Sequence, residues 1–246
     1  MFRYLFIIAL AFIVSCKAVA QDTTIRYFSQ WEEIQDSTHA IYIKKEIKFA
    51  ENDYEVKLLH SSGDLIYEGR FLSVNPDIEN GMVKHYADAG GLIETGYFDR
   101  GYPDSTWLVY RPERRTFDTI DYTGVKDFIE DGALGSSFDE HFGNRIEKEP
   151  GFPSNEAKVK YDSFSEYVEK EKYFPIMARR KELSGEVFIY FTIGPNGNTH
   201  DLNLRNRPSR YFLFETARLI MNSPKWTPGK IGEYKVPKLM NMRIKF

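Results

Sequence analysis

A single cysteine, Cys16, stands among the 246 residues, so no internal disulfide can form and the fold must rest on its hydrophobic core. Histidine is sparse too. His39, His60, His85, His141 and His200 are scattered, and none pairs with another at metal-ligand spacing, so no metal site is expected. The motifs of nucleophilic catalysis are missing: Gly135-Ser136-Ser137 is not the G-x-S-x-G elbow, and the lone cysteine lies at the N-terminal extremity. Asp139-Glu140-His141 is a dense polar cluster that a solvated loop explains. These absences predict a non-enzyme with no catalytic residue and no cofactor. No nucleic-acid recognition motif occurs either, and no long apolar run follows the first twenty residues.

Those first residues read as a secretory leader. Arg3 supplies the positive start, Tyr4 to Val14 is an apolar run of 11 residues, and Ala18-Val19-Ala20 offers a small-x-small cleavage site before Gln21. Spanning a bilayer takes about 20 apolar residues, and Lys17 interrupts this run before that length. Two other fates stand beside cleavage at Ala20. The leader can stay uncut as an anchor, or Ile13-Val14-Ser15-Cys16 can act as a lipobox, with Cys16 lipidated. Membrane attachment, if any, is expected through one of these two devices. The chain is therefore read as exported, to the periplasm or cell envelope. Export also argues against a nucleic-acid partner.

Charge divides what remains. Residues 21–152 carry 14 Lys and Arg against 26 Asp and Glu, whereas residues 153–246 carry 17 against 10. Such asymmetry marks separate domains, which could dock on each other, or leave the basic half to meet an acidic partner. The organisation expected is a leader over 1–20, a β-rich domain over 21–115, a linker over 116–152 and a basic α+β domain over 153–246.

The acidic half repeats itself. Gly63-Asp64-Leu65-Ile66-Tyr67-Glu68-Gly69-Arg70-Phe71 lines up with Gly90-Gly91-Leu92-Ile93-Glu94-Thr95-Gly96-Tyr97-Phe98 at an offset of 27, and Val56-Lys57 matches Val83-Lys84 at the same offset. Trp107-Leu108-Val109-Tyr110 echoes Val83-Lys84-His85-Tyr86. Each unit reads as a short strand, a glycine turn and a second strand, and no lone hairpin could bury its aromatics, so neighbours must stack. Asn80-Gly81, Tyr86, Gly91 and Gly96-Tyr97 resemble MORN-type repeats, with residues 73–79 as an insertion. A plain β-meander without a binding role is the competing reading. Ile41-Tyr42-Ile43 and Ile47-Lys48-Phe49 are candidate opening strands. Residues 116–152 lack a period and carry glycine and proline clusters, hence a linker with brief local structure.

In the basic half, Ser163 followed by Glu166 makes a capping box for a helix over 163–172, with Phe164, Tyr167 and Val168 on one face. A short helical turn over 176–183 precedes a strand with apolar residues at 187, 189, 191 and 193. Pro195-Asn196-Gly197 turns the chain into a return strand beginning at Leu202. An amphipathic helix over 212–221 and one long strand over 234–246 close the chain. Trp226 is expected in core packing, and Glu215 with Arg218 as a solvent-facing pair. Arg205, Arg207 and Arg210 form a basic loop, a solvated face or a surface for an acidic partner.

These residues are similar to the TonB C-terminal domain in its Bacteroidetes-type form. Tyr173-Phe174-Pro175, Ala178, Gly185-Glu186-Val187, Phe191, Pro195-Asn196-Gly197, Glu215-Thr216-Ala217-Arg218 and Pro224-Lys225-Trp226-Thr227-Pro228-Gly229-Lys230 carry the likeness over 164–246. The fold class it implies is α+β, an antiparallel hairpin-repeat domain followed by a small α+β domain with an antiparallel sheet. The resemblance implies binding of an extended peptide, such as the TonB box of an outer-membrane receptor plug, by strand addition to a sheet edge. The corresponding edge is the closing strand, with Lys235, Lys238, Leu239, Asn241, Arg243 and Lys245, while Pro237 removes one donor. A homodimer through swapped or paired edges is also expected of such domains. A force-transducing TonB protein keeps a membrane helix and a long Pro- and Lys-rich spacer. No such spacer occurs here, so an energy transducer with an uncut leader is the alternative, and a scaffold without peptide binding a third reading.

Overall fold

The computed structural model describes residues 22–132, 145–153 and 160–246. The leader with Cys16, Gly135-Ser136-Ser137 and Asp139-Glu140-His141 lie outside the described residues. Strands β1 (Asp22–Ser29), β2 (Glu32–Ile34), β3 (Tyr42–Ala50), β4 (Asp53–His60), β5 (Leu65–Val74), β6 (Asp77–Tyr86), β7 (Leu92–Asp99), β8 (Tyr102–Arg111) and β9 (Thr116–Asp121) form one antiparallel sheet. Its order is β2-β1-β3-β4-β5-β6-β7-β8-β9, a meander hairpin by hairpin from β3 to β9, with β1 lying between β3 and the short outer strand β2. The two candidate strands near Ile41 and Ile47 are one strand, β3, held in a continuous register by β1. The insertion at 73–79 lengthens β5 and β6 to 10 residues each. The span 116–152 holds β9 and helix α1 (Val125–Gly132).

Register gives the repeat its physical meaning. Val56, Gly69, Val83 and Gly96 are consecutive cross-strand partners, so the repeated Val and Gly form one row on the inner face. A Cβ on Gly96 would lie 2.0 Å from the Trp107 ring, and one on Gly69 would lie 2.5 Å from the Tyr67 hydroxyl. Each glycine is the space into which an aromatic ring lies down. Two positions along runs a second row, Leu58, Tyr67, His85, Glu94 and Val109, again all cross-strand partners. Every member of that row is buried, yet its middle is polar.

The basic half folds as helices α2 (Phe164–Glu171), α3 (Ile176–Arg180) and α4 (Arg210–Met221) around a three-stranded sheet. That sheet comprises β10 (Glu186–Ile193), β11 (Thr199–Leu204) and β14 (Lys238–Lys245) in the order β11-β10-β14. Ser163 caps α2 by accepting the Glu166 N–H at 3.1 Å, and Glu166 returns a bond to the Asp162 N–H at 2.6 Å. The return strand begins at Thr199, three residues before Leu202. The closing segment is not one strand. Pro237, which cannot donate, divides it into β13 (Tyr234–Val236), paired with β12 (Gly229–Ile231) in a separate ribbon, and β14. Gly197, at φ +81°, holds the turn where a Cβ would lie 2.2 Å from the Trp226 carbonyl oxygen, so two of the signature motifs meet there. Trp226 is buried against Phe152, Phe164 and Phe191, as its expected packing role requires.

Glu215 and Arg218 depart from expectation. Their helix face looks into the molecule, so the pair is buried rather than solvent-facing, with Glu215 at 0 % exposure. Burying a carboxylate is costly unless every lone pair is satisfied. Here Glu215 accepts from Arg218 Nε at 2.8 Å and Arg218 Nη2 at 2.7 Å, from the Tyr173 N–H at 2.7 Å and from the Tyr122 hydroxyl at 3.1 Å. Tyr122 follows β9, so this carboxylate ties the two halves together. Helix α1 packs on β8, β11 and α4, and a single hydrophobic core spans both halves.

Candidate functional site

The edge of the three-stranded sheet is set by β14. Gly185 and Phe246 exchange both backbone hydrogen bonds, at 3.2 and 2.8 Å. Antiparallel alternation then directs the peptide groups of Ile244, Met242 and Met240 toward β10, and those of Leu239, Asn241, Arg243 and Lys245 outward. No strand pairs with that outer side among the described residues. The Lys245 carbonyl accepts from Lys172 Nζ at 2.9 Å, which closes the C-terminal end of the row. Leu239, Asn241 and Arg243 therefore present outward N–H and C=O groups over a run of five residues.

Side-chain direction follows the same alternation. Ile244 and Phe246 are buried beneath the sheet with Met240 and Met242 packed beside them, while Asn241, Arg243 and Lys245 are exposed. Phe188, the partner of Arg243, is 39 % exposed beside them, and Arg205 stacks over Tyr190 at 4.5 Å. Lys238 reaches Glu149 at 3.9 Å and Arg243 reaches Glu186 at 3.7 Å, both loose pairs. The strip is thus basic, with an apolar ring at its centre. Lys235 lies on β13 opposite Lys230, outside this strip.

The three loop arginines are not brought together. Arg205 and Arg207 are exposed, whereas Arg210 starts α4 and donates to Glu79 on β6 at 2.6 Å. That bond belongs to a polar seam between the halves. Arg180 donates to the Ile66 carbonyl at 2.8 Å and also to the Tyr86 carbonyl, and the Trp31 indole N–H donates to the Arg180 carbonyl at 3.2 Å. The Tyr173 hydroxyl donates to Glu94 at 3.1 Å. Burial pushes the Glu94 carboxyl up to about 7, against the bonds from Tyr173 and the Ile176 backbone. Burial, reinforced by the Arg180 charge, pushes His85 down to about 3 and keeps its ring neutral.

Sequence reasoning passed over Tyr67, His85, Glu94 and Arg180. A signal was available for the first three. At the offset of 27, Leu58 aligns with His85 and Tyr67 with Glu94, so polar groups replace a core residue at matching positions of a buried row.

Residues 170–246 match the family described as Gram-negative bacterial TonB protein C-terminal. The C-terminal α+β region is thus a TonB C-terminal domain, and β14 is its last strand. No curated protein matches the chain.

Proposed function

We propose that this is an exported cell-envelope protein that receives an extended peptide as an added strand on β14, in the manner of TonB boxes from outer-membrane receptor plugs. One observation carries the reading: the outer side of β14 has no strand partner among the described residues, while its inner side is held by β10 over the full strand. Backbone pairing at Leu239, Asn241 and Arg243 would supply affinity, and the basic strip would favour an acidic peptide. Side-chain hydrogen bonds through Tyr173, Arg180, Arg210, Glu215 and Asn222 join the two halves, as do backbone bonds from Glu147, Lys148 and Gly151 to Lys230 and Thr227. Lys238 at the start of β14 meets Glu149 loosely, while the outward peptide groups of Leu239, Asn241 and Arg243 take no part among the described residues.

The acidic sheet, read as MORN-like repeats, supplies a second contact surface. Met82 and Tyr97 are cross-strand partners and are 59 % and 43 % exposed on its outer face. The domain type supports a place in TonB-type envelope transport. Retention of the leader would make the chain an energy transducer proper.

The test is calorimetric titration of TonB-box peptides from receptors of the same organism into the chain lacking residues 1–20. Saturable binding is expected, with Asn241→Ala retaining it and Asn241→Pro abolishing it while the fold stays intact by circular dichroism. A proline removes the outward N–H, and an alanine does not. Absence of saturable binding to the parent chain, or equal binding by the proline variant, refutes the reading and leaves a scaffold.

A further inference from the structure

Strand β9 closes the nine-stranded sheet, and no strand pairs with its outer side among the described residues. The Tyr122 N–H donates to the Ser105 carbonyl at 3.0 Å, one step beyond the Asp121–Thr106 pair. Antiparallel alternation then turns the peptide groups of Ile120, Asp118 and Thr116 toward β8, and those of Asp121, Thr119 and Phe117 outward. Asn222 Nδ2 donates to the outward Asp121 carbonyl at 3.3 Å and closes that end. Phe117 and Thr119 keep their outward groups free among the described residues. Edges are ordinarily blunted by shortness, proline, lysine or a bulge. At the opposite edge β2 has three residues. β9 has six, with no proline, no lysine and an unbroken register against β8. Its two charges are engaged within the chain, Asp118 by Arg111 at 3.1 Å and Asp121 by the Thr123 N–H at 2.9 Å.

Beside this edge lies a cleft of about 620 Å³, bounded across from β9 by Lys170 and Lys172 at the end of α2. Clefts that hold ligands run to roughly 300–1,000 Å³. The two lysines are held by Glu166 at 2.6 Å and Glu169 at 3.1 Å. On the β9 side, Arg111 and Arg114 share one carboxylate, Asp118, at 3.1 and 3.4 Å. Arg111 spends Nε on that bond, so both its terminal nitrogens lack a partner among the described residues. Solvent reaches these donors, since the two side chains are 34 % and 65 % exposed. A guanidinium fork in that state fits the two oxygens of a carboxylate. Glu113 also lines the cleft, so its removal should tighten an anionic ligand.

We propose that β9 and the cleft beside it bind an extended acidic segment of a partner protein. The segment pairs its backbone with Phe117 and Thr119 and sets a carboxylate on the terminal nitrogens of Arg111. The outward peptide groups and the guanidinium fork border one cleft, and together they call for a strand that carries an acid. This site shares no residue with the β14 edge, so either reading can fail without the other.

The probe is a blocked hexapeptide of alternating glutamate and valine, titrated calorimetrically into the chain lacking residues 1–20. Its alternation places every carboxylate on one face of the added strand. Saturable binding is expected, with the glutamine–valine analogue about tenfold weaker and the lysine–valine analogue weaker still. Thr119→Pro, which removes an outward N–H, should abolish binding, whereas Thr119→Ala should retain it. Arg111→Met should erase the preference for glutamate over glutamine, and Glu113→Gln should strengthen binding. Asn241→Pro should leave the affinity unchanged, which separates this edge from β14. If Thr119→Pro does not fold, the probe methylated on alternate backbone nitrogens takes its place and should not bind the parent chain. No saturable binding up to about ten millimolar overturns the proposal. So does binding lost with Asn241→Pro but unmoved by Thr119→Pro, or equal affinity for the lysine–valine peptide.

Discussion

Replacing Glu94 by glutamine should change how stability depends on pH. Burial raises the Glu94 carboxyl from the ordinary 4.5 to about 7 in the folded chain. A folded chain that keeps a proton the unfolded chain has released is stabilised by acid. The contribution is fully present below about pH 4.5 and is lost as pH climbs through about 7. A difference of this size amounts to roughly 3 kcal/mol across the window. His85 works in the opposite sense. Its pKa falls from 6.5 to about 3, so its contribution is complete above 6.5 and disappears toward 3. Between about pH 4.5 and 6.5 the two slopes offset each other in the parent protein, which should show a flat profile there. Glutamine keeps an acceptor for the Tyr173 hydroxyl but cannot ionise. The Glu94→Gln chain should therefore match the parent near pH 4.5 and exceed it by about 3 kcal/mol at pH 8, with a slope on the acid side that His85 alone produces. Urea unfolding at intervals from pH 4 to 8, followed by tryptophan fluorescence, measures the difference directly. A difference between the two chains that stays constant with pH to within about 0.5 kcal/mol would refute the reasoning.

Gly96→Ala should cost about 3 kcal/mol or more, since its methyl lands on the Trp107 ring. Gly91→Ala has nothing within 4 Å of the new Cβ and should stay within about 0.5 kcal/mol of the parent. Urea midpoints compare the two, and similar losses would sink the packing account of the repeat. Arg218→Met strands the buried Glu215 carboxylate and should destabilise by roughly 3–5 kcal/mol. The double variant with Glu215→Leu should recover much of that loss in the same unfolding assay.

The two sheets were legible in different ways. In the basic half, Ser163 with Glu166, the alternation at 187–193 and the Pro195-Asn196-Gly197 turn fall on a helix cap, β10 and the β10–β11 turn, because each is a local signal with a local cause. Pro237 was legible as a lost donor, but the consequence, a break between two strands with different partners, depends on where β12 lies. The Glu215–Arg218 spacing is identical for an exposed and a buried pair. Only the arrival of Tyr122 and Tyr173 at the same carboxylate distinguishes them, and both come from far along the chain. At the candidate edge, Leu239, Asn241 and Arg243 were readable as strand residues. Their outward peptide groups follow from the Gly185–Phe246 pair, a contact across 61 residues. The polar row was recorded in the repeat, yet a repeat alignment alone does not say which face is inward.

That polar row has a meaning for the order in which the chain is made. The nine-stranded sheet leaves the ribosome, and on the proposed route crosses the membrane, before the region that covers it has been completed. Through that interval its inner face is a hydrophobic surface waiting for a lid, the condition in which sheets collect on one another. Tyr67, His85 and Glu94 of the row, with Glu46 and Glu79 elsewhere on the same face, interrupt that surface with groups water can solvate, and inward-pointing charges are a known guard against such pairing. When the C-terminal region arrives, Arg210 and Tyr173 engage two of these groups, Glu79 and Glu94, so a feature that keeps the half-made chain apart from its neighbours later seats its own lid.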